Sequence, residues 1–185
     1  MQNKELFDRL IGMALELGAT QANVIEVKDL VFDPVSREIC ATNACGQYGK
    51  CWTCPPDAGA IDDLMAKAKQ YSYALVYQTV TELEDSYDYE GMMEAGNIHN
   101  GLAREFRQNF PRNSVSRALH LGAGGCRLCK VCAKKTDELC RRPDLALQSL
   151  EAYGIHVSKM AEAAGMKYIN GQDTVTYFGA VLFML

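Results

Sequence analysis

The sequence predicts an α/β or α+β fold, a single layered domain of about four strands with flanking helices. Three observations lead there. Apolar residues recur at helical spacing in some segments and run continuously in others, and the two kinds alternate along the chain. The 185 residues are 48% hydrophobic and 23% charged, enough for a core and typical of a globular protein. No internal repeat, low-complexity tract or linker divides the chain, so residues 1–185 read as one domain.

The elements follow in order. Leu6, Leu10, Met13 and Leu17 share one helical face, and Gly18 is placed to end that helix. Ala22 to Val27 reads as a short buried strand. A first cysteine region, 40–56, closes on Pro55-Pro56, which stops any regular element. Ile61, Leu64, Met65 and Ala68 line a second helix, and Tyr73 to Val80 is a strand rich in β-formers. Glu82 to Glu94 carries six acids and no base and reads as a solvated loop. A helix follows with Ile98, Leu102 and Phe106 on one face and Pro111 beyond its end. Val115 to Leu121 is a third strand, leading through Gly122-Ala-Gly-Gly into a second cysteine region, 122–143. Pro143 suits the first turn of a helix ending near Gly154. Val157, Met160, Ala161 and Ala164 mark one more helix, and Thr174 to Phe183 the last strand. Both cysteine regions read as loops of the one domain.

A net charge of −4 argues against a general nucleic-acid binder. The opening Met1-Gln-Asn-Lys-Glu-Leu-Phe-Asp alternates charge with apolar residues and has no uninterrupted secretory core. Val175 to Leu185, the most apolar stretch, is too short to cross a membrane. The expectation is a cytoplasmic protein without membrane insertion. In that reducing compartment structural disulfides rarely persist, so the eight cysteines are expected as free thiolates holding metal.

Cys126-Arg-Leu-Cys129-Lys-Val-Cys132 is the sharpest signal in the chain. Three thiolates at two-residue intervals can wrap three corners of a cubane, with a more distant cysteine on the fourth iron. Cys140 is in the right neighbourhood, although seven residues separate it from Cys132, where a common ferredoxin run has fewer. The other quartet, Cys40, Cys45, Cys51 and Cys54, is spaced by four, five and two residues. Four and four thiols match two [4Fe-4S] clusters, and a cysteine of one region can complete the cluster of the other, Cys54 with Pro55 being the candidate cross-ligand.

Zinc also accepts four thiolates, so two zinc sites bracing loops are the main alternative. The tight triad favours iron–sulfur, because zinc sites more often pair cysteines two by two. Cys51-Trp-Thr-Cys54 has the spacing of a redox disulfide but lacks a helix start after its first cysteine. Gly124 and Gly125, directly before Cys126, would let backbone approach a cluster and aim amides at its sulfurs. The plainer reading is a flexible turn.

From Arg104 to Arg142 there are ten Lys or Arg residues against Glu105, Asp137 and Glu138. Such charge would raise a cluster's potential and dock an acidic redox partner, or simply form a solvated face. His99, His120 and His156 lack ligand spacing and read as surface or helix residues. Trp52, Tyr48 and Tyr153 would shield a cluster or serve ordinary packing. No nucleophilic triad or zinc-protease motif is present, and no substrate pocket is legible.

The stretches Cys45-Gly-Gln-Tyr-Gly-Lys-Cys-Trp-Thr-Cys-Pro-Pro56 and Gly122-Ala-Gly-Gly-Cys-Arg-Leu-Cys-Lys-Val-Cys132 resemble the metal-binding proteins of domain of unknown function 2284. Cys140-Arg-Arg-Pro and Ser149-Leu-Glu-Ala-Tyr-Gly-Ile-His-Val157 resemble it too, so the likeness covers nearly the whole chain. The resemblance implies metal binding through these cysteines, implies no reaction, and suits the oxygen-sensitive clusters of an anaerobe.

The expectation is a two-cluster electron carrier, or the electron-input subunit of a larger system, that meets a redox protein partner. A homo-oligomer is compatible with it. One rival is an enzyme whose cluster keeps an open iron for substrate, with Cys40 the most replaceable ligand. Another is a zinc-braced interaction module.

Overall fold

The structure, a computed structural model, describes residues 2–185; Met1 and the side chain of Gln2 lie outside what is described. Its centre is a five-stranded sheet in the order β1-β2-β5-β3-β4. The strands are β1 (Gln21–Glu26), β2 (Tyr73–Glu82), β3 (Arg117–Gly122), β4 (Gln148–Ser149) and β5 (Thr174–Met184). All neighbours are antiparallel except β3 and β4, which run parallel. The long β2–β5 pair forms the spine, in register from Tyr73 opposite Phe183 to Glu82 opposite Thr174.

Successive residues of a strand point to opposite faces, and here both faces are covered. Ala74, Val76, Phe178, Ala180 and Leu182 pack into one apolar cluster with α3 (Ile61–Ala68) and α5 (Val157–Ala163). Leu75, Tyr77, Val181 and Phe183 pack into the other with α1 (Gln2–Glu16) and α4 (Tyr89–Asn109). Double coverage explains why β2 and β5 are apolar without alternation. The layered α/β class is as the sequence predicts, and its four strands are found within a few residues.

Three elements differ from the expectation. First, α2 (Val35–Ala41) places Cys40 on a helix rather than in a loop. The Cys40 thiol accordingly points back to the Ser36 carbonyl, 3.9 Å away. Second, α4 begins inside the acidic run, where the Asp88 side chain accepts the Gly91 N–H at 2.8 Å and caps the helix. Third, no helix runs from Pro143 to Gly154: turns lead into β4, and 3-10 turn Glu151–Tyr153 follows.

Tertiary hydrogen bonds account for that last difference. Gln148 and Ser149 pair with Leu121 and Gly122, and Gln148 Nε2 donates to the Ala58 carbonyl at 2.9 Å. Tyr153 Oη donates to Gln148 Oε1 at 2.9 Å. A helix would forfeit these contacts, and helix propensity is too weak to override them. β4 was missed for the same reason, since a two-residue strand has no period to detect.

Candidate metal centre

The first cysteine region leaves α2 and turns back on itself between Cys45 and Pro56. Gly46 and Gly49 both adopt left-handed backbone, at φ 71° and 67°, and Asn43 joins them at φ 54°. The Asn43 side chain accepts the Tyr48 N–H at 3.0 Å and the Pro55 carbonyl accepts the Gly49 N–H at 2.9 Å. These turns bring Cys51 and Cys54 against the second region, more than seventy residues away in sequence.

Thr53 is the hinge pin. Its hydroxyl accepts the Cys126 N–H at 3.2 Å and lies 3.3 Å from Cys51 Sγ. Cys51 Sγ in turn lies 3.8 Å from the Cys126 carbonyl oxygen. Further out, Trp52 Nε1 donates to the Glu138 carbonyl at 2.9 Å. Lys134 pairs with Asp57 at 2.8 Å while its ammonium sits 4.4 Å from the Trp52 ring centroid. The two cysteine regions are thus one structural unit.

Gly124 and Gly125 adjoin the first quartet. Both line a cavity of about 470 Å³ with Cys40, Cys45 and Cys54. A Cβ added at Gly125 would stand 3.2 Å from Cys54 Sγ, so glycine keeps that wall close to the sulfur. Gly124 has φ +63°, a conformation that side chains resist. Behind this loop Asn100 Nδ2 donates to the Ala123 carbonyl at 2.9 Å, and its Oδ1 accepts the Ala123 N–H at 3.2 Å.

All eight cysteines are free, and none is paired in a disulfide. Cys51 is almost fully buried, at 1% exposure, whereas Cys45 is exposed. Cys51 and Cys54 share a hydrogen bond and titrate together, with Cys51 losing its proton first. The Cys54 hydrogen bond, and those from Thr53 and the Cys126 backbone, hold Cys51 down to about 5 against its own burial. Cys54 is pushed up, chiefly by the same shared hydrogen bond and by burial. Burial also raises Cys40 and Cys126. Neighbouring thiols add to this: Cys45 acts on Cys40 and Cys54, and Cys51 and Cys140 act on Cys126. Cys129 and Cys132 both raise Arg141, after its ion pair with Glu138. Among the described residues, no three His, Cys, Asp or Glu side chains already stand together as a single-ion site.

A family model described as "Predicted metal-binding protein (DUF2284)" matches residues 23–183. The chain belongs to the DUF2284 family of predicted metal-binding proteins. The match spans both cysteine regions and all five strands but for the first two residues of β1 and the last of β5. Comparison with curated proteins and with solved structures found no match. For this DUF2284 member the donor chemistry fits metal: eight free thiols, with a glycine wall against one of them. No described helix is long and apolar enough to cross a membrane.

Two sets of residues escaped the sequence reading. Thr53 and Asn100 organise the centre, yet a threonine between cysteines and an asparagine in a helix carry no signal by themselves. Of the histidines, His99 lies on α4 as expected of a helix residue, fully buried with Nδ1 2.9 Å from Thr79 Oγ1. His120 departs from the expectation by sitting on β3. Tyr153 is buried and bonded to Gln148.

Proposed function

We propose that this protein binds two [4Fe-4S] clusters and serves in electron transfer, as a carrier or as the electron-input subunit of a larger redox system. The observation that carries the proposal is the union of the two cysteine regions through Thr53, Cys51 and Cys126. Eight thiols in one unit give two neighbouring quartets, and neighbouring centres suit passage of electrons through the protein. When bound, such clusters would supply one-electron redox chemistry at their irons, with the cysteine thiolates holding them.

In this reading Cys126, Cys129, Cys132 and Cys140 hold one cluster, and Cys40, Cys45, Cys51 and Cys54 the other. Cys51 stands between Cys54 and Cys126, so it is the thiol placed to serve either centre. Backbone N–H groups of Thr53 and Cys126 favour a thiolate at Cys51, as amides do that tune sulfur ligands. Gly124 and Gly125 let the loop close on Cys54. Lys130, Lys135 and Arg142, exposed and in no ion pair among the described residues, supply positive charge for an acidic redox partner.

One observation favours a second reading, an enzyme with a cluster open to substrate. The cavity bordered by Cys40, Cys45 and Cys54 also has Glu151, His156 and Tyr168 on its walls, whereas Cys51 is turned toward Cys126. Three thiols beside this mostly apolar cavity would leave one iron free to act as a Lewis acid. Zinc bracing is the remaining alternative.

Anaerobic purification followed by iron, sulfide and zinc analysis tests the central claim. About eight irons and eight sulfides per chain are expected from two cubanes, with a brown chromophore that dithionite bleaches. Stoichiometric zinc without acid-labile sulfide overturns it.

A further inference from the structure

We propose that a second cavity, at the free edge of β3 and away from the cysteines, binds a small multiply charged anion through its phosphate groups. The cavity measures about 470 Å³, within the range of small-molecule sites. It is independent of the metal reading, because no cysteine lines it.

Charge is the first argument. Lys67 from α3, Arg107 from α4, Arg112 from the turn after it and Arg117 from β3 all line the cavity, and no carboxylate does. The chain as a whole carries −4, so this concentration of cations runs against its background. None of the four is in an ion pair among the described residues. Asp144 lies near enough to favour the charge on Arg107, but burial and Arg112 act more strongly against it. Arg107 and Arg112 therefore repel each other with only partial relief from Asp144, and an anion between them would offset that repulsion.

Geometry is the second. Arg107 Nη1 donates to the Ala146 carbonyl at 3.1 Å, which fixes the guanidinium while leaving its other N–H groups available. His120 also lines the cavity, its ring set edge-on to Phe110 with centroids 5.0 Å apart, and its buried Nδ1 has no hydrogen-bond partner. An anion oxygen seated in the cavity would give this nitrogen the partner it lacks.

Topology is the third. β4 covers only Leu121 and Gly122, so among the described residues no strand flanks Arg117 to His120 on that side. The cavity occupies this gap, whose neutral floor is the mutually bonded Gln148 and Tyr153. Planar guanidinium forks match phosphate oxygens, and their convergence on a concavity favours a compact anion over an acidic protein face.

The test titrates pyrophosphate into the metal-reconstituted full chain at fixed ionic strength, by calorimetry and by following the His120 ring in nitrogen-detected NMR. Saturable binding of one pyrophosphate per chain with a shift of the His120 ring is expected. The pair Arg112→Gln and Arg117→Gln should weaken it by about tenfold or more, through loss of two guanidinium contacts. Lys28→Gln with Lys159→Gln removes equal charge elsewhere and should change it less than about twofold. Arg112→Gln alone, at an exposed turn, gives the same direction should the pair disturb the fold. ATP binding more tightly than pyrophosphate at the same ring supports the proposal with a nucleotide as source; equal or weaker binding supports it with the phosphate groups alone. Absence of saturable binding, or equal weakening by both charge-removing pairs, overturns it. So does a polyglutamate peptide that binds where pyrophosphate does not, which would make this a protein-docking face.

Discussion

Asn100 grips Ala123 by both of its backbone groups, donating to the carbonyl at 2.9 Å and accepting the N–H at 3.2 Å. A side chain in the middle of α4 thereby substitutes for a strand partner just where β3 ends and the glycine loop before Cys126 begins. Leucine at this position has similar bulk and no hydrogen-bonding group. Asn100→Leu should cost about 1–3 kcal/mol, because it leaves both Ala123 groups unpaired in a partly buried site. Urea unfolding of the metal-loaded chain measures it, and metal content should fall in parallel. Stability and metal content equal to wild type would show that the clamp does not hold the loop.

The glycines of that loop should rank by what a methyl group would meet. At Gly122 an added Cβ would stand 2.7 Å from Asn100 Oδ1, so Gly122→Ala must push the clamp aside. At Gly124 there is open space but a φ of +63°, so Gly124→Ala should cost only the backbone strain, about 1–2 kcal/mol. Gly122→Ala should be the more damaging, by about 1 kcal/mol or more, from overpacking. A reversed order in denaturation experiments would place the constraint in the backbone alone.

Burial holds His99 at about 4, so folding is linked to pH through this ring. Above the ordinary histidine pKa of about 6.5 both folded and unfolded chains carry it neutral. As pH falls from there toward 4, the unfolded chain takes up a proton that the folded chain refuses. Stability is therefore lost at about 1.4 kcal/mol per pH unit, and the loss levels off once the folded ring also protonates. His99→Gln should flatten this limb. Between pH 6.5 and 5 the stability gap between wild type and variant should narrow by about 1.5 kcal/mol. A gap that stays constant would mean that the ring is not kept neutral by the fold.

Much of this architecture was legible because strong periods survive in the sequence. Tyr73 to Val80 and Thr174 to Phe183 are continuous apolar runs, and they are the paired strands of the spine. What stayed hidden was structure decided by distant partners. The segment after Pro143 has helical propensity, yet Gln148 and Ser149 gain more from Leu121, Gly122 and Ala58. Likewise the eight cysteines were plain, but their meeting through Thr53 depends on a turn that no spacing rule encodes. The cationic cavity draws Lys67 and Arg117 from segments fifty residues apart, which a charge count along the chain blurs into a basic stretch.

The two quartets should respond unequally to cysteine loss. Cys129 is central in the tight triad, so Cys129→Ala should remove a whole cluster, about half the iron, on the two-cubane reading. Cys40 sits on α2 outside the turn that gathers Cys45, Cys51 and Cys54, and its thiol points to the Ser36 carbonyl of its own helix. Cys40→Ala should keep more iron than Cys129→Ala. Half the iron lost from Cys40→Ala and none from Cys129→Ala would invert the ranking of the two quartets.

Metal removal should loosen the two cysteine regions in a definite order. Both contain turns with little apolar surface of their own, so metal binding there offsets the entropy of ordering the loop. The sheet and its two apolar clusters do not depend on those turns, and the apo chain should keep most of its helical circular dichroism. Lys50 is exposed, beside the left-handed glycines Gly46 and Gly49, and the hydrogen bonds that hold that turn are local to the first region. Lys135 is exposed too, but its neighbours are tied across to the first region by the Lys134–Asp57 pair and the Trp52–Glu138 hydrogen bond. Trypsin should therefore cut the apo protein after Lys50 first and after Lys135 later, while the metal-loaded protein resists at both. Asp57→Asn weakens the ion pair without reaching a cysteine, and it should bring the second cut forward in the apo chain. Matched digests of apo and loaded samples decide the matter, and identical patterns would mean that these loops are ordered without metal.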